Sequence, residues 1–354
     1  MPELKPIQYN PQGAHVAVVG ATGAVGREIQ HCLDALHLPI RAIDLVASSR
    51  SAGKELDTPW GKKTIQDAAL FDFHGVDIAL FSAGKSVSLE LAPKVLEAGA
   101  LMIDNTSAFR RDPAWPLIVP EVNGDLIELK SGIIANPNCS TIQMVLALKA
   151  LDDAAGIDDV RVVTYQSCSG AGQKGIDALL EETRASLDGH RPEASRVHAR
   201  TIAFDVVPQI GPLLDSGNTE EEEKMMFETK KILGRNDLRV CATCVRVPVV
   251  RSHSEVVHVV TRKPMTVREA QSVLDDMPGL RVTDIQNTQN YPTATQAAGL
   301  FETLVGRVRV DPVAQNGLIF WIVSDNLLKG AALNAVQIAC AAWNHGRNGT
   351  NNEK

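Results

Sequence analysis

The first 140 residues consist of short apolar runs that alternate with segments of helical apolar spacing. Such runs indicate buried strands, and the segments between them place their apolar side chains on one face of a helix. Strands that alternate with helices predict right-handed crossovers and a parallel sheet with helices on both faces. The runs are HVAVVG, RAIDLVAS, VDIALFS and LMIDNTS, and the helical segments are GREIQHCLDAL and SVSLELAPKVLEAG. We therefore predict the α/β fold class, with a doubly wound parallel domain at the amino terminus.

The pattern changes after residue 140, where strand candidates follow one another closely. This spacing is typical of a mixed or antiparallel sheet and predicts a second, α+β domain. We place the first domain at 1–138 and the second at 139–328, and we join a last helix, 329–346, to the first domain because its small residues favour close packing. The strand candidates are VRVVTYQS, LRVCATCVRVPVV, SEVVHVVTRK, LRVTDIQ, TLVGRVRV and GLIFWIVS, the helices are 175–187, 219–233 and 267–277, and GRNGTNNEK is expected to be a frayed tail.

The bulk composition excludes several classes of protein. A formal net charge of -7 over 354 residues argues against a general binder of nucleic acid or anionic membranes, which need a surplus of Lys and Arg. The start lacks the apolar core of a secretory signal, and no run approaches the ~20 apolar residues of a membrane span. We therefore expect a cytoplasmic protein whose partners are small molecules rather than nucleic acid or membrane.

Six cysteines spread over the chain do not form a disulfide framework, and a reducing compartment keeps them as thiols. Cys241 and Cys244 make one CxxC pair inside a strand candidate. Without a second pair or histidines at ligand spacing, strand packing is a better interpretation than zinc, and the nine scattered histidines predict no metal site.

The segment NPNCST, residues 136–141, places Cys139 between a strand candidate and the buried helix IQMVLALKAL. In the first turn of a helix, unpaired backbone N–H groups and the helix dipole favour a thiolate. A free cysteine is also a common small apolar core residue. Position alone leaves the nucleophile and the core interpretation both open.

The segment GATGAVG, residues 20–26, follows the first strand and opens the first helix. In that context a glycine loop binds a pyrophosphate at the helix N-terminus, as in Rossmann-type domains, although its spacing is GxxGxxG and an ordinary turn is the alternative. The second strand ends in SSRSAGK, which offers Ser48, Ser49, Arg50 and Ser51 and no carboxylate. These donors favour a 2′-phosphate and hence NADP over NAD, unless this segment is only a solvated loop.

A thiolate beside a nicotinamide suggests attack on a carbonyl carbon, a thioacyl enzyme and hydride transfer, which needs an acid/base and oxyanion donors. RVPVVRSHSE offers Arg246 to hold a carboxylate and His253 to move a proton, although either alone is more often a surface strand residue. Gln166 ends a strand candidate, and Arg110 follows a parallel strand at the edge where doubly wound sheets form sites.

The segment NTEEEEKMMFETKKILG reads as a helix capped by Thr219 with Glu222 three residues on. Glu221 and Lys224 lie at positions i and i+3 and therefore share a face. A solvated helix surface is the default interpretation of such a charge run.

Eight motifs in this order, over nearly the whole chain, resemble the aspartate-semialdehyde dehydrogenase family. They are GATGAVG, SSRSAGK, DNTSAFR, NPNCST, SGAGQKG, NTEEEEKM, RVPVVRSHSE and SDNLLKGAALNAVQIA. The resemblance implies NADPH-dependent reduction of 4-phospho-L-aspartate to L-aspartate 4-semialdehyde with release of phosphate, on the route to lysine, methionine and threonine. It also implies a homodimer or homotetramer, with 1–138 as the NADP-binding domain and 139–328 as the catalytic and dimerisation domain.

The resemblance further implies a role for each matching residue. Cys139 is the nucleophile and His253 the general acid/base. Arg246 and Gln166 hold the substrate, with Glu221 near its ammonium group. Arg110, Asn138 and Lys224 contact phosphate or the acyl phosphate. The residues implied to contact NADP are Gly20, Thr22, Gly23, Ala24, Val25, Ser49, Arg50, Ser51, Ser169, Gly170 and Asn326.

Two features depart from the family pattern: Cys168 in QSCSGAG and the thirteen residues before AHVAVVG. Cys168 is interpreted as packing or, alternatively, as a partner of Cys139 in an inhibitory disulfide. N-acetyl-glutamyl-phosphate reductase is an alternative function, although its nucleophile segment resembles NPGC, and its acylated substrate has no use for a carboxylate such as Glu221. A paralogue that binds nucleotide without catalysis is another, and the joint presence of Cys139, Gln166, Arg246 and His253 argues against it.

Overall fold

The computed structural model describes residues 4–190, 197–284, 287 and 289–352, with side chains as far as 347. Its contacts divide the chain into two compact units. The first comprises the chain up to Pro137 and from Ala331 onwards, and the second comprises Asn138–Gly330. The assignment of NADP binding to the first and of catalysis and dimerisation to the second stays a prediction.

The strands are β1 Ala14–Val19, β2 Ile40–Ala47, β3 Glu55–Thr58, β4 Gly61–Thr64, β5 Gln66–Asp67, β6 Ile78–Phe81, β7 Leu101–Asp104, β8 Gly132–Ala135, β9 Ile157–Gln166, β10 Arg239–Arg246, β11 His253–Thr261, β12 Leu280–Val282, β13 Thr303–Val310 and β14 Gly317–Ser324. The helices are α1 Ala24–Ala35, α2 Lys85–Glu97, α3 Pro120–Asn123, α4 Cys139–Ala155, α5 Gln173–Leu187, α6 Glu220–Leu233, α7 Val267–Asp275, α8 Ala294–Ala297 and α9 Leu333–Asn352. Short 3₁₀ turns occupy Gly124–Leu126 and Cys168–Ala171, and a π-helical turn occupies Leu328–Ala332. Among the described residues, no helix has the length and apolar character needed to cross a bilayer.

The first unit contains a six-stranded parallel sheet in the order β5-β2-β1-β6-β7-β8. Every residue of β6 and β7 is buried, as expected for strands covered by helices on both faces. The doubly wound parallel domain predicted from the alternating pattern is therefore confirmed. The β3–β4 hairpin is an addition that the strand pattern did not predict.

The carboxyl-terminal helix differs from its prediction. The predicted helix 329–346 begins with the π-helical turn, and α9 then continues to Asn352, so the predicted frayed tail is wrong in this part. Adding residues to an existing helix is far easier than nucleating one, and the buried start of α9 supplies the nucleus. Within the first unit α9 contacts α1, α3 and β7, and Trp343 is 1% exposed beneath the ring of Tyr9.

The amino-terminal extension pairs with residues 129–131, the segment that precedes the edge strand β8. The Lys5 backbone N–H donates to Ser131 Oγ at 2.7 Å, and the Ser131 N–H donates to the Lys5 carbonyl at 2.7 Å. The Ile7 N–H donates to the Leu129 carbonyl at 3.2 Å. The extension therefore supplies backbone partners beside a sheet edge, where unpaired groups otherwise favour aggregation.

The second unit contains a six-stranded sheet in the order β10-β9-β11-β14-β13-β12. Its outer pairs β9–β10 and β12–β13 are parallel, and the pairs between them are antiparallel, so the predicted mixed sheet is confirmed. The predicted strand LRVTDIQ is shorter than expected, because β12 ends at Val282, and residues 285 and 286 lie outside the described residues. The helix α4 is buried along most of its length and packs on β9, β11 and β14.

Candidate active site

The first unit has a groove of about 520 Å³ at the carboxyl ends of β1, β2 and β6. This is the edge at which doubly wound sheets bind nucleotides. Of the residues predicted to contact NADP, Gly20, Thr22, Gly23, Ser49 and Arg50 line the groove. Ala24 and Val25 are the first residues of α1, while Ser51 lies in the following turn and is not among the lining residues.

Two glycines of the loop are required by geometry. Gly20 has φ +92°, and a Cβ there would lie 2.9 Å from the Ser82 carbonyl carbon. A Cβ at Gly26 would lie 2.1 Å from the Gly20 carbonyl oxygen. The loop can therefore turn tightly into α1 and present backbone N–H groups to a phosphate.

The groove holds charges of both signs. Arg50 and the hydroxyls of Ser48 and Ser49 suit a 2′-phosphate, as the sequence predicted. Asp67 and Glu90 also line the groove, and sequence reasoning did not name them. Sequence reasoning missed these two carboxylates because they lie 17 and 40 residues after Arg50 in the chain. Only the fold brings them to this edge of the sheet.

Arg110 lies in the first unit, in the loop that follows β7. Its Nη2 donates to the Asn105 carbonyl at 2.8 Å, and the residue is 8% exposed. The buried Asp104 anchors this loop by accepting hydrogen bonds from Ser88 Oγ at 2.7 Å and from Thr106 Oγ1 at 2.7 Å. Burial raises the pKa of the Asp104 carboxyl, and these hydroxyl donors oppose that effect.

In the second unit, Cys139 is the first residue of α4 and is half-buried. Asn138 caps the helix, because its Oδ1 accepts the backbone N–H groups of Ser140 at 2.9 Å and Thr141 at 3.3 Å. The predicted position of the cysteine in the first helical turn is therefore confirmed. The same Asn138 donates from Nδ2 to Glu221 Oε1 at 2.7 Å, so both polar ends of its side chain already have protein partners.

Three predicted residues meet at one edge of the mixed sheet. Gln166 ends β9 and Arg246 ends the parallel strand β10, directly opposite it in register. His253 begins the antiparallel strand β11 on the other side of β9. Gln166 Nε2 makes a short hydrogen bond to Ser140 Oγ, which ties this row to the residue after Cys139.

The surroundings of His253 fix its charge and its tautomer. The ring is 1% exposed, and burial, with a smaller effect of the Arg246 charge, lowers its pKa well below the usual value. The Ser167 backbone N–H donates to Nδ1 at 3.0 Å, so we assign the ring hydrogen to Nε2. The imidazole is therefore neutral and presents an Nε2–H donor.

Asn326 organises the loops around this ring. Its Oδ1 accepts hydrogen bonds from Ser167 Oγ at 3.1 Å, from Ser169 Oγ at 3.0 Å and from the Ser252 backbone N–H at 2.9 Å. Ser252 has φ +76°, an uncommon conformation for a residue with a side chain. These bonds orient the amide of Asn326 and fix the backbone that precedes His253.

Helix α6 brings the predicted acidic and basic pair to the same site. Glu221 Oε1 accepts from Gln166 Nε2 at 3.2 Å as well as from Asn138, and Lys224 Nζ lies 3.6 Å from Glu221 Oε2. The predicted capping box of Thr219 and Glu222 is present. Glu222 Oε1 also accepts the Cys244 N–H at 2.9 Å, which attaches the start of α6 to β10. The default interpretation of this charge run as solvated surface is wrong for Glu221, which is 9% exposed.

Two polar atoms of this row have no protein partner among the described residues: His253 Nε2 and Gln166 Oε1. Unpaired buried polar atoms are uncommon and costly, so their presence in one row indicates a bound ligand. Gly170 leaves room beside them, because a Cβ there would lie 2.9 Å from Arg246 Nη1 and 3.3 Å from His253 Nε2. In this row the His253 Nε2–H is complementary to a carbonyl oxygen, the Arg246 guanidinium to a carboxylate and Gln166 Oε1 to a hydrogen-bond donor.

The remaining cysteines behave as core or strand residues. Cys168 packs with Leu179, Ile202 and Val207, and burial raises the pKa of its thiol to about 11. This favours packing over the disulfide hypothesis, and none of the six cysteines, all within the described ranges, is in a disulfide. Cys241 is exposed and Cys244 buried, on opposite faces of β10.

Several residues of the site escaped sequence reasoning. Ser167 contacts both the imidazole and Asn326, Ser140 binds Gln166, and Glu228 Oε2 accepts the Asn138 backbone N–H at 2.6 Å. Ser167 and Ser140 are immediate neighbours of predicted residues, which is the only signal that the sequence offers for them. Glu228 lies one helical turn after Lys224, on the face already identified.

Two family models match the chain. One is described as semialdehyde dehydrogenase, NAD binding domain, and covers residues 15–130; the other is described as semialdehyde dehydrogenase, dimerisation domain, and covers residues 148–329. The aspartate-semialdehyde dehydrogenase of Bacillus subtilis is 46% identical over 335 residues, 93% of this chain and 97% of the relative. That of Aquifex aeolicus is 47% identical over 330 residues, 92% of this chain and 97% of the relative.

The solved structures agree. The crystal structure of aspartate semialdehyde dehydrogenase II from Vibrio cholerae, complexed with ASA, has a TM-score of 0.88 and 43% identity, and the match covers 93% of this chain and 98% of that one. The similarity therefore includes both units and the segments that carry the row of unpaired polar atoms. With a nucleotide groove in its first unit and a capped cysteine in its second, the chain belongs to the aspartate-semialdehyde dehydrogenase family.

Proposed function

We propose that this protein is an NADP-dependent oxidoreductase that reduces 4-phospho-L-aspartate to L-aspartate 4-semialdehyde and releases phosphate. The reaction belongs to the biosynthesis of lysine, methionine and threonine. One observation carries the proposal: Cys139 begins a capped helix, and the residues that flank it bond directly to Gln166 and Glu221. A core cysteine would have no need of such a polar setting.

Cys139 forms the covalent intermediate. Its sulfur attacks the acyl carbon, the C–S bond forms and the C–O bond to phosphate breaks, so phosphate leaves and a thioester remains. The N-terminus of α4 stabilises negative charge on the sulfur through its backbone N–H groups and dipole. Asn138 keeps that helix start fixed, so the sulfur reaches the carbonyl carbon in a reproducible orientation.

His253 acts on the carbonyl oxygen. Its Nε2–H donates to the oxygen as negative charge develops there, first when the sulfur attacks and again when the thioester is reduced. The reduced thiohemiacetal then collapses to the aldehyde and the Cys139 thiolate. The Ser167 backbone N–H and Oγ, each 3.0 Å from Nδ1, hold the ring so that Nε2 is the atom that exchanges a proton with this oxygen. Gln166 assists by orienting the substrate beside the sulfur.

The charges of the site are complementary to this substrate. We assign the α-carboxylate to Arg246, whose planar guanidinium binds carboxylates bidentately, and the α-ammonium to Glu221. Lys224 and Arg110 carry positive charge suited to the phosphoryl group. This assignment explains why Glu221, buried beside Lys224, is retained on a helix face that the sequence alone would leave to solvent.

NADP suits the groove of the first unit. Arg50, Ser48 and Ser49 would hold the 2′-phosphate, and the loop from Gly20 would hold the pyrophosphate. Bound there, NADPH would supply the hydride that reduces the thioester. Ser169, Gly170 and Asn326 lie in the second unit, among the loops around His253, and we assign them to the nicotinamide end.

The protein forms a homodimer in this proposal. We place the contact on the face of the mixed sheet opposite α4, because α4 packs on β9, β11 and β14 and so covers the other face of these strands. The rings of Tyr165 and Trp321 lie 5.6 Å apart on this face, and Tyr165 is 37% exposed. Aromatic side chains of this kind are enriched at interfaces. A homotetramer and a cytoplasmic location stay predictions from the sequence.

One assay tests the activity. The purified protein should reduce NADP in the presence of phosphate and aspartate semialdehyde, and should fail with the N-acetylated glutamate semialdehyde. Cys139→Ser should abolish the reaction, because the covalent route is lost. Activity with the acetylated substrate alone would support the reductase alternative, and nucleotide binding without turnover of either substrate would support the inactive paralogue.

A further inference from the structure

A buried layer of polar side chains lies next to Gln166, Arg246 and His253, the catalytic row of the mixed sheet. Thr164 of β9, Cys244 of β10 and Glu255 of β11 each lie two residues from Gln166, Arg246 and His253 on their strands, and so face the same way. Thr164 is in register with Cys244 on one side and with Glu255 on the other. We call these three residues, with Gln143 of α4 above them, the polar layer.

The polar layer is sealed from solvent. Glu255, Gln143 and Thr164 are each 0% exposed. Two residues further along the strands, the same face carries Val162, Ala242 and Val257, which are apolar and buried. The layer thus lies between the catalytic row and the apolar core, where a charged side chain would be strongly disfavoured.

Five polar atoms of the layer lack a hydrogen bond within the described part of the chain: Thr164 Oγ1, Gln143 Nε2, Gln143 Oε1 and both carboxylate oxygens of Glu255. Four of them belong to the facing side chains of Gln143 and Glu255. An ionised carboxylate only accepts hydrogen bonds, so it can use the amide hydrogens of Gln143 but leaves the amide oxygen unpaired. A carboxylic acid has one donor and one acceptor side by side. Its O–H matches the amide oxygen, and its carbonyl oxygen matches the amide N–H.

We propose that Glu255 is a neutral carboxylic acid paired with Gln143 through two reciprocal hydrogen bonds, and that this pair positions Cys139 and His253. The pair gives partners to all four of its own polar atoms at once, which an ionised carboxylate facing the amide does not. Gln143 lies one helical turn after Cys139 on α4, and Glu255 lies two residues after His253 on β11. The pair therefore fastens the helix of the nucleophile to the strand of the imidazole.

The charge balance of the surroundings agrees with a neutral acid. Burial raises the pKa of the Glu255 carboxyl well above the usual value, while the Gln143 amide acts in the opposite sense. Within the layer, burial also raises the pKa of the Cys244 thiol, and the nearby Glu221 and Glu222 carboxylates of α6 act on that thiol in the same sense. A neutral Glu255 therefore adds no negative charge to this buried layer.

The kinetic test is a double-substitution cycle, and it rests on the proposed function. Glu255→Gln keeps a pair, because two primary amides make the same two hydrogen bonds, so its kcat should stay within about threefold of wild type. Glu255→Leu and Gln143→Leu each leave one buried partner unpaired and should lower kcat about tenfold with little change in KM. In the double Leu variant, kcat should fall by a much smaller factor than the product of the two single-variant factors.

The opposite results overturn the proposal. If the kcat of Glu255→Gln were as low as that of Glu255→Leu, the two side chains would not act as a pair. The same conclusion would follow if kcat of the double Leu variant fell by the full product of the two single-variant factors. A shift of the pH profile of kcat/KM in Glu255→Gln would show that a negative charge had been removed, and the acid would not be neutral.

A second measurement does not depend on catalysis. The infrared spectrum of the full chain at about pH 7, where ordinary carboxyls are ionised, should contain a protonated-carboxyl band that Glu255→Gln removes. The cycle can also be repeated with thermal midpoints, in which the double Leu variant should again recover stability relative to either single variant. A missing infrared band refutes the neutral acid even in a chain that lacks the proposed activity, whereas inactivity with the band present refutes only the function.

Discussion

Gly330→Ala tests how tightly the fold positions the nucleophile. A Cβ built at Gly330 would lie 2.9 Å from Cys139 Cβ and 3.3 Å from Cys139 Cα. The backbone at Gly330 is outside the left-handed region, so alanine is acceptable there apart from this contact. The substitution therefore changes the space around the cysteine and little else.

The size of the effect follows from that distance. Non-bonded carbon atoms prefer a separation of about 3.5–4.0 Å, so the sulfur-bearing residue must move by about 0.6–1 Å. A misplacement of about 1 Å at a reacting group is enough to reduce a rate about 100-fold. We expect Gly330→Ala to lower kcat by about that factor while the fold survives, because one methyl group in a packed site typically costs only about 1–3 kcal/mol.

The assay compares kcat with the alkylation rate of Cys139, measured by mass spectrometry after timed exposure to iodoacetamide. Gly124→Ala is the matched control, since a Cβ there meets its nearest atoms at 3.9 Å and the backbone φ is -67°. The control should match wild type in both readings. If Gly330→Ala retained the wild-type kcat and alkylation rate, the inference that close packing positions Cys139 would be refuted.

Three further predictions follow from the same structure. His253→Ala should lower kcat about 10²–10⁴-fold and leave measurable turnover, because a positioned acid/base contributes that much; an unchanged rate in a steady-state assay would contradict its role. Asn138→Ala should lower the free energy of unfolding by about 0.5–2 kcal/mol, measured in urea, because the cap of α4 is lost, and an unchanged midpoint would argue against the cap. The third concerns His15, whose pKa is raised mainly by its hydrogen bond to Asp44 at 2.6 Å. Asp44→Asn should therefore destabilise the protein below about pH 6.5, and the difference from wild type should shrink as the pH rises through the folded-state pKa of His15; a constant difference would refute this linkage.

The local features of the site were predictable because short-range physics decides them. The N-terminal position of Cys139 on α4 follows from a strand, an Asn-Pro turn and a helical pattern within a dozen residues. The capping box of Thr219 and Glu222 is a four-residue signal, and the structure contains it. The glycine loop before α1 is equally local, and Gly20 and Gly26 occupy positions where a side chain does not fit.

The tail shows where composition misleads. The segment from Gly346 is rich in Gly and Asn and was expected to fray, but α9 continues to Asn352. Intrinsic propensity is a weak prior, and a helix that is already anchored extends more readily than its composition indicates. Similarly, the sequence pattern assigned Glu221 to the solvated surface. Its burial depends on Asn138 and Gln166, which lie 83 and 55 residues away in the chain.

The sequence alone determined the doubly wound parallel domain, the mixed second sheet, the helix that begins at Cys139 and the family, because periodicities, caps and motifs act over a few residues. The tertiary structure decided which groups meet. Only the register of β9, β10 and β11 aligns Gln166 with Arg246 and brings His253 beside them. The Ser167 N–H then sets the tautomer of the imidazole, and burial, with a smaller effect of the nearby guanidinium, sets its charge. Burial and electrostatic contacts depend on distance in space, so no pattern along the chain could have supplied them.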